Sequence, residues 1–145
     1  QTWLEITTLL IPGHNDSDQE IQALTQWVAR ELGPHVPLHF SAFHPDYRMT
    51  DIPRTPPSTL TRARQIGLSN GLKFVYTGNV HDPEGGTTSC AACAGAVIVR
   101  DWYRILEYRI DERGRCQNCG AAMAGRFGSR VGTFGPRRIP VAIEV

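Results

Sequence analysis

The chain has 145 residues, 41% of them hydrophobic, enough for one ordinary core and a small satellite module. A net charge of +1 sets up no global field for nucleic acid or an anionic membrane. No apolar run approaches the roughly 20 residues of a membrane helix, and no basic start followed by an apolar stretch marks a signal peptide. Without an initiator Met, the chain reads as processed, trimmed or excerpted.

Residues 3–11 (WLEITTLLI) are β-branched and nearly continuously apolar, which predicts a strand covered on both faces. Pro12-Gly13 ends it, and His14, Asn15 and Asp16 form a polar loop. Ser17 and Glu20 make a capping box, in which side chains satisfy free N–H groups at a helix start. Ile21, Leu24, Val28 and Leu32 follow at helical spacing, and Gly33-Pro34 stops the helix. Residues 37–43 (PLHFSAF) predict a second strand, with the polar loop 44–54 after it. A second helix is expected from Thr55 with Pro56 at its first position, burying Leu60, Ala63 and Gly67 and ending at Asn70-Gly71. Residues 72–76 predict a third strand, leading into Asn79, His81 and Asp82.

Strand–helix–strand–helix–strand with connections of this length predicts right-handed parallel crossovers. The loops holding His14, His44 and His81 should then gather at the carboxyl edge of the sheet, where such folds place their chemistry. A lone loop histidine is more often simply solvated, but three at one edge raise the functional reading. His39 lies within a strand and can line the interior; His35 belongs to a surface turn. The loop HPDYRMTD groups His44, Asp46, Tyr47, Arg48 and Asp51, either as a surface loop or as a wall for a polar ligand.

Pro83-Glu84-Gly85-Gly86 looks like a boundary. Beyond it, Cys90 and Cys93 form one CxxC pair and Cys116 and Cys119 a second, with 22 residues between the pairs. Residues 96–99 and 103–110 predict a hairpin there, turning near Arg100-Asp101. Two CxxC pairs across a hairpin make a tetrahedral thiolate site, usually for zinc. Iron in a rubredoxin-like site uses the same ligands. Gly95 and Gly120 give backbone room past each pair. Four protein ligands leave no open position, so a structural role is expected. Paired cysteines without a secretory signal favour metal over disulfides and a reducing cytoplasm. The segment 126–138 holds Arg126, Arg130, Arg137 and Arg138 and no acid, with Phe127 and Phe134 interleaved. It reads as a solvated tail packed through its aromatics, or as a phosphate- and base-binding one. Residues 139–145 can add a last strand.

The runs WLEITTLLIPGHNDSDQEIQALTQWVARELG, VPLHFSAFHPDYRMTDIPRTPP and GLKFVYTGNVHDPEGGTTSC, with the cysteine ribbon, resemble the C-terminal half of a radical SAM enzyme. The likeness is to AmmeMemoRadiSam-system proteins, relatives of pyruvate formate-lyase activating enzyme. That resemblance implies reductive cleavage of S-adenosylmethionine at a [4Fe-4S] cluster held by a CxxxCxxC motif. The motif is absent here, and all four cysteines belong to the ribbon. The strand-end histidine of the family pattern LPYH matches Ala42-Phe43-His44, which makes His44 the candidate S-adenosylmethionine contact. An arginine near that cofactor falls at about Thr7, so that contact does not carry over. Asn15, Asn79 and His81 are cofactor-site candidates by edge position alone.

The expected fold class is α/β: a partial (β/α) barrel with parallel strands over residues 1–85, a four-cysteine zinc ribbon over 86–124, and a Gly/Arg-rich tail over 125–145. The expected role is the C-terminal portion of a radical SAM enzyme, inactive without the missing N-terminal half. That half, or a homo-oligomer, should cover the open sheet edge, and a protein substrate is a further partner. The alternative is a stand-alone zinc-ribbon adaptor that binds protein or nucleic acid.

Overall fold

The computed structural model describes residues 2–127. The expected last strand over 139–145 and the tail residues Arg130, Phe134, Arg137 and Arg138 lie outside the described residues.

Strand β1 is Ile6–Leu10, β2 is Leu38–Ala42 and β3 is Val75–Gly78. They pair in parallel in the order β1-β2-β3, with Thr7, His39 and Tyr76 in one register row. Helix α1 (Asp18–Trp27) starts with the Ser17 half of the expected capping box, while the Glu20 carboxylate takes the Ser17 hydroxyl rather than the Ser17 N–H. Ser17 Oγ accepts from Glu20 N at 3.3 Å and donates to the Glu20 carboxylate at 2.6 Å. A π-helical turn, Val28–Leu32, continues it to Gly33, whose φ of 97° stops the helix. Helix α2 is Pro57–Ser69. It begins after Pro56 rather than at Thr55, because Thr55 has another task described below. Its buried residues are Thr59, Leu60, Ala63 and Gly67, on one helical face.

Both helices pack on each other and on the same side of the sheet. The core there holds Leu10, Ile21, Val28, Leu38, Phe40, Leu60, Leu72 and Val75. Leu38, Phe40 and Ala42 are buried, and the intervening His39 and Ser41 are not. The expectation of a β1 covered on both faces is therefore corrected. Leu9 is 43% exposed and Leu4 49%, because helices cover only one face and no described strand pairs with β1's outer edge.

The second sheet is antiparallel, with β4 (Thr88–Ser89), β5 (Ala96–Asp101) and β6 (Arg104–Tyr108) in sequence order. The hairpin turns at Trp102-Tyr103, two residues later than Arg100-Asp101. Trp102 takes the left-handed conformation (φ 51°) that this turn needs. Its core is small. Cys90, Val97, Ile110 and Cys116 are buried, with Ile98, Tyr108, Ala121, Met123 and Phe127 packed around them. Phe127 lies against Gly114 and Gly125, where a Cβ would come within 2.6 and 2.5 Å of its ring. Its ring is thus in the ribbon core and is not displayed for base stacking. Among the described residues, no helix is long and apolar enough to cross a membrane.

Candidate metal centre

Each cysteine pair sits in a knuckle of the same construction. In the first, Cys90 N donates to Gly95 O at 2.9 Å and Ala94 N donates to Cys90 O at 2.9 Å. In the second, Cys116 N donates to Ala121 O at 2.9 Å and Gly120 N donates to Cys116 O at 2.7 Å. The matching fourth residues after Cys90 and Cys116, Ala94 and Gly120, have φ of 58° and 75°. Gly120 takes this left-handed conformation without the strain that Ala94 bears at the matching position. Gly95 has a different reason: a Cβ on it would meet Asn118 Nδ2 at 2.7 Å.

The knuckles bring all four sulfurs within 4.8 Å of one another. Cys90 and Cys119 are 3.8 Å apart and Cys93 and Cys116 are 3.9 Å apart. A tetrahedron with metal–sulfur bonds of about 2.3 Å has edges of about 3.8 Å. The spacing thus suits one tetrahedral metal ion, and it is far beyond the about 2.0 Å of a disulfide. The four side chains could hold a metal ion such as zinc.

Their electrostatics agree. Burial pushes the Cys90 thiol up, but the Cys93 and Ala92 N–H groups and the neighbouring Cys116 and Cys119 thiols outweigh it and bring it to about 7. At Cys119 the Ala121 N–H pulls down, yet the surrounding Cys93, Cys90 and Cys116 sulfurs together with burial push it up to about 12. One sulfur of the set ionises readily and the last resists, since four thiolates this close repel. A bound dication removes that conflict.

The sheet-edge candidates are placed less uniformly. Asn15 is a clamp: its Oδ1 accepts from Ile11 N at 2.7 Å and its Nδ2 donates to Leu9 O at 2.9 Å. Asn79 Nδ2 donates to Ala42 O at 3.2 Å. Both amides tie up strand ends. Thr55, expected to open the second helix, instead does the same from a buried position. Its hydroxyl donates to Leu10 O at 2.6 Å and accepts from Phe43 N at 2.9 Å. His44 is exposed, two residues past β2, with Nδ1 2.8 Å from Pro45 O. A carbonyl only accepts, so Nδ1 carries the proton and Nε2 is left as acceptor in the neutral ring. His81 Nε2 is 3.5 Å from Asp101 on the ribbon. Tyr47 is 82% exposed with Arg48 over its ring, so HPDYRMTD is a surface loop. Among the described residues, the cysteines form the cluster fit for a metal, and His14, His44 and His81 do not.

A polar row on the open sheet face was largely missed. Glu5 accepts from Trp3 Nε1 at 2.8 Å and pairs with His39 Nε2 at 2.9 Å. His39 stacks on Tyr76 with centroids 4.9 Å apart. The alternation L-H-F-S-A in β2 was the available signal for it.

An uncharacterized protein of Methanocaldococcus jannaschii is 43% identical over 119 residues, which are 81% of this chain and 36% of that protein. The chain thus spans little more than a third of the length of the curated relative it matches. No family model matches the chain. No solved structure matches it either.

Proposed function

We propose that this chain is the C-terminal part of a radical SAM enzyme, activase-like, in which it supplies one wall of the cofactor pocket and a structural zinc ribbon. The observation that carries the reading is the sheet. Three parallel strands lie in chain order with both helices on one side. That is the repeating unit of a (β/α) barrel, whereas doubly wound folds reverse strand order and cover both faces. The much longer archaeal relative fits a chain that is one section of a larger protein. The absence of any cysteine outside the ribbon means that cluster ligands must come from elsewhere in that protein.

In this reading the metal ion, zinc, is held by Cys90, Cys93, Cys116 and Cys119 and takes no part in turnover, because four protein ligands leave no open position. His44, just past the end of β2, contacts S-adenosylmethionine through its Nε2 acceptor. The cofactor and a [4Fe-4S] cluster supply the radical chemistry only with the N-terminal half present. The enzyme works in the cytoplasm, where thiolates stay reduced.

The test joins this chain to the upstream coding region, reconstitutes iron and sulfide, and measures 5′-deoxyadenosine release under reducing conditions. Release that falls at least tenfold in His44→Ala supports the reading. No release from the joined protein, or full release from the variant, refutes the assigned role.

A second reading is a ribbon adaptor that docks on protein or nucleic acid. It is favoured by the hairpin residues Trp102, Tyr103 and Leu106, which are 56%, 67% and 54% exposed. Salt-dependent retention of the chain on RNA would support it.

A further inference from the structure

The sheet face opposite the helices does not lie bare. A cleft of about 770 Å³ opens between it and the ribbon. This is the size of small-molecule sites, roughly 300–1,000 Å³. Its walls are mainly apolar, with Trp3, Tyr76, Ile98 and Trp102 among them. Its charged and polar lining includes the carboxylates of Glu5, Asp82 and Asp101, the arginines Arg100 and Arg126, and the Tyr76 hydroxyl. Glu5 is held by Trp3 and His39. Asp82 accepts from Thr77 Oγ1 at 2.9 Å and Gly85 N at 3.0 Å. Asp101 faces His81. The Tyr76 hydroxyl bonds Thr88 Oγ1 at 2.9 Å, and burial pushes its ionisation up.

Of the two arginines that line the cleft, Arg126 is exposed, whereas Arg100 is held in place. Arg100 is half-buried in the cleft, and its Nη1 donates to Gly86 O at 3.0 Å and to Thr88 Oγ1 at 2.9 Å. Those two bonds fix the guanidinium, whose Cζ lies 5.9 Å from the Tyr76 ring centroid. Among the described residues, no carboxylate lies within 4.0 Å of it, and Nε and Nη2 have no protein acceptor. A guanidinium held rigid, partly desolvated and with donors unused is suited to a planar anion.

We infer that this cleft binds a small aromatic carboxylate, with Arg100 receiving the carboxylate and the aromatic walls receiving the ring. The inference does not rest on the radical-enzyme reading, since the cleft is lined by Trp3 and Glu5 ahead of β1, by His39 of β2, by β3 and by the ribbon, and not by His44.

The experiment titrates the metal-loaded chain with phenylacetate and, separately, with the neutral phenylacetamide. The readout is the indole N–H signals of Trp3 and Trp102 in proton–nitrogen correlation spectra. Phenylacetate should give saturable shifts at both indoles, and phenylacetamide should bind about tenfold more weakly or less, as expected for loss of a charge-assisted hydrogen bond. Arg100→Gln should weaken phenylacetate to the level of the amide. Equal binding of acid and amide by the unaltered chain overturns the inference, as does an absence of saturable shifts. These two outcomes decide the matter even if Arg100→Gln does not fold. A folded Arg100→Gln that binds phenylacetate undiminished overturns it as well.

Discussion

Single side chains at the centre carry opposite assignments that the fold enforces. Metal binding must displace protons from thiols, so affinity should fall as pH falls. The drop should steepen below about 7, where Cys90 also becomes protonated. In the metal-free chain the sign is the same. Cys90 is depressed from 9.0 to about 7, so its contribution is complete above 9.0 and is lost as pH falls through about 7. A colorimetric metal-release assay from pH 8 to pH 5 checks this, and occupancy flat across that range would contradict it. Gly120→Ala should cost about 1–2 kcal/mol in the metal-loaded chain, because φ of 75° disfavours a Cβ. Ala94→Gly should be neutral or stabilising at the equivalent knuckle position. The cysteines and Gly120 were legible in sequence because their spacing alone sets the knuckle. Gly95 was legible as backbone room past the first pair, but the neighbour that demands that room was not, since Asn118 arrives from the other knuckle.

Between elements, the two sheets should differ in what holds them. Among the described residues, the ribbon's buried hydrophobic cluster is only Cys90, Val97, Ile110 and Cys116, too little to offset its chain entropy without a staple. The parallel sheet has its own core of eleven buried residues under two helices. A strong chelator should therefore unfold 86–124 and leave α1, α2 and β1–β3 protected in hydrogen exchange. Uniform protection after metal removal would show that the ribbon stands alone. Within the parallel sheet, Thr55→Val keeps the shape but strands Leu10 O and Phe43 N. It should cost about 2–3 kcal/mol in urea denaturation. The capping box, the Gly33 stop and the buried face of α2 were readable because helix signals are local. The start of α2 was not, because Thr55 is claimed by strand ends 45 and 12 residues earlier in sequence. The two-residue β4 carries no periodicity to read. Asn15 and Asn79 were readable as edge residues, but not as clamps, because backbone acceptors leave no trace in a sequence.

For the whole molecule, an open parallel edge and the exposed Trp3, Leu4 and Leu9 beside it leave backbone and apolar groups unpaired among the described residues. The chain alone should self-associate; under the proposed radical-enzyme reading it should instead pair with the proposed N-terminal half. Light scattering that gives a clean 16.1 kDa monomer at micromolar concentration would count against this. The α/β class and the order of elements could be read from the strand and helix runs. The one-sided sheet could not, because Leu9 is apolar on a face that no helix covers. The four cysteines of the chain gather at one place fit for a closed four-sulfur metal centre, which would leave none for redox chemistry. Native mass spectrometry of the freshly purified chain tests it most directly. The expected result is one tightly held ion per chain, with four thiol protons displaced, and loss of that ion in Cys116→Ser. A metal-free chain with two disulfides, or bound inorganic sulfide with several irons, would contradict it.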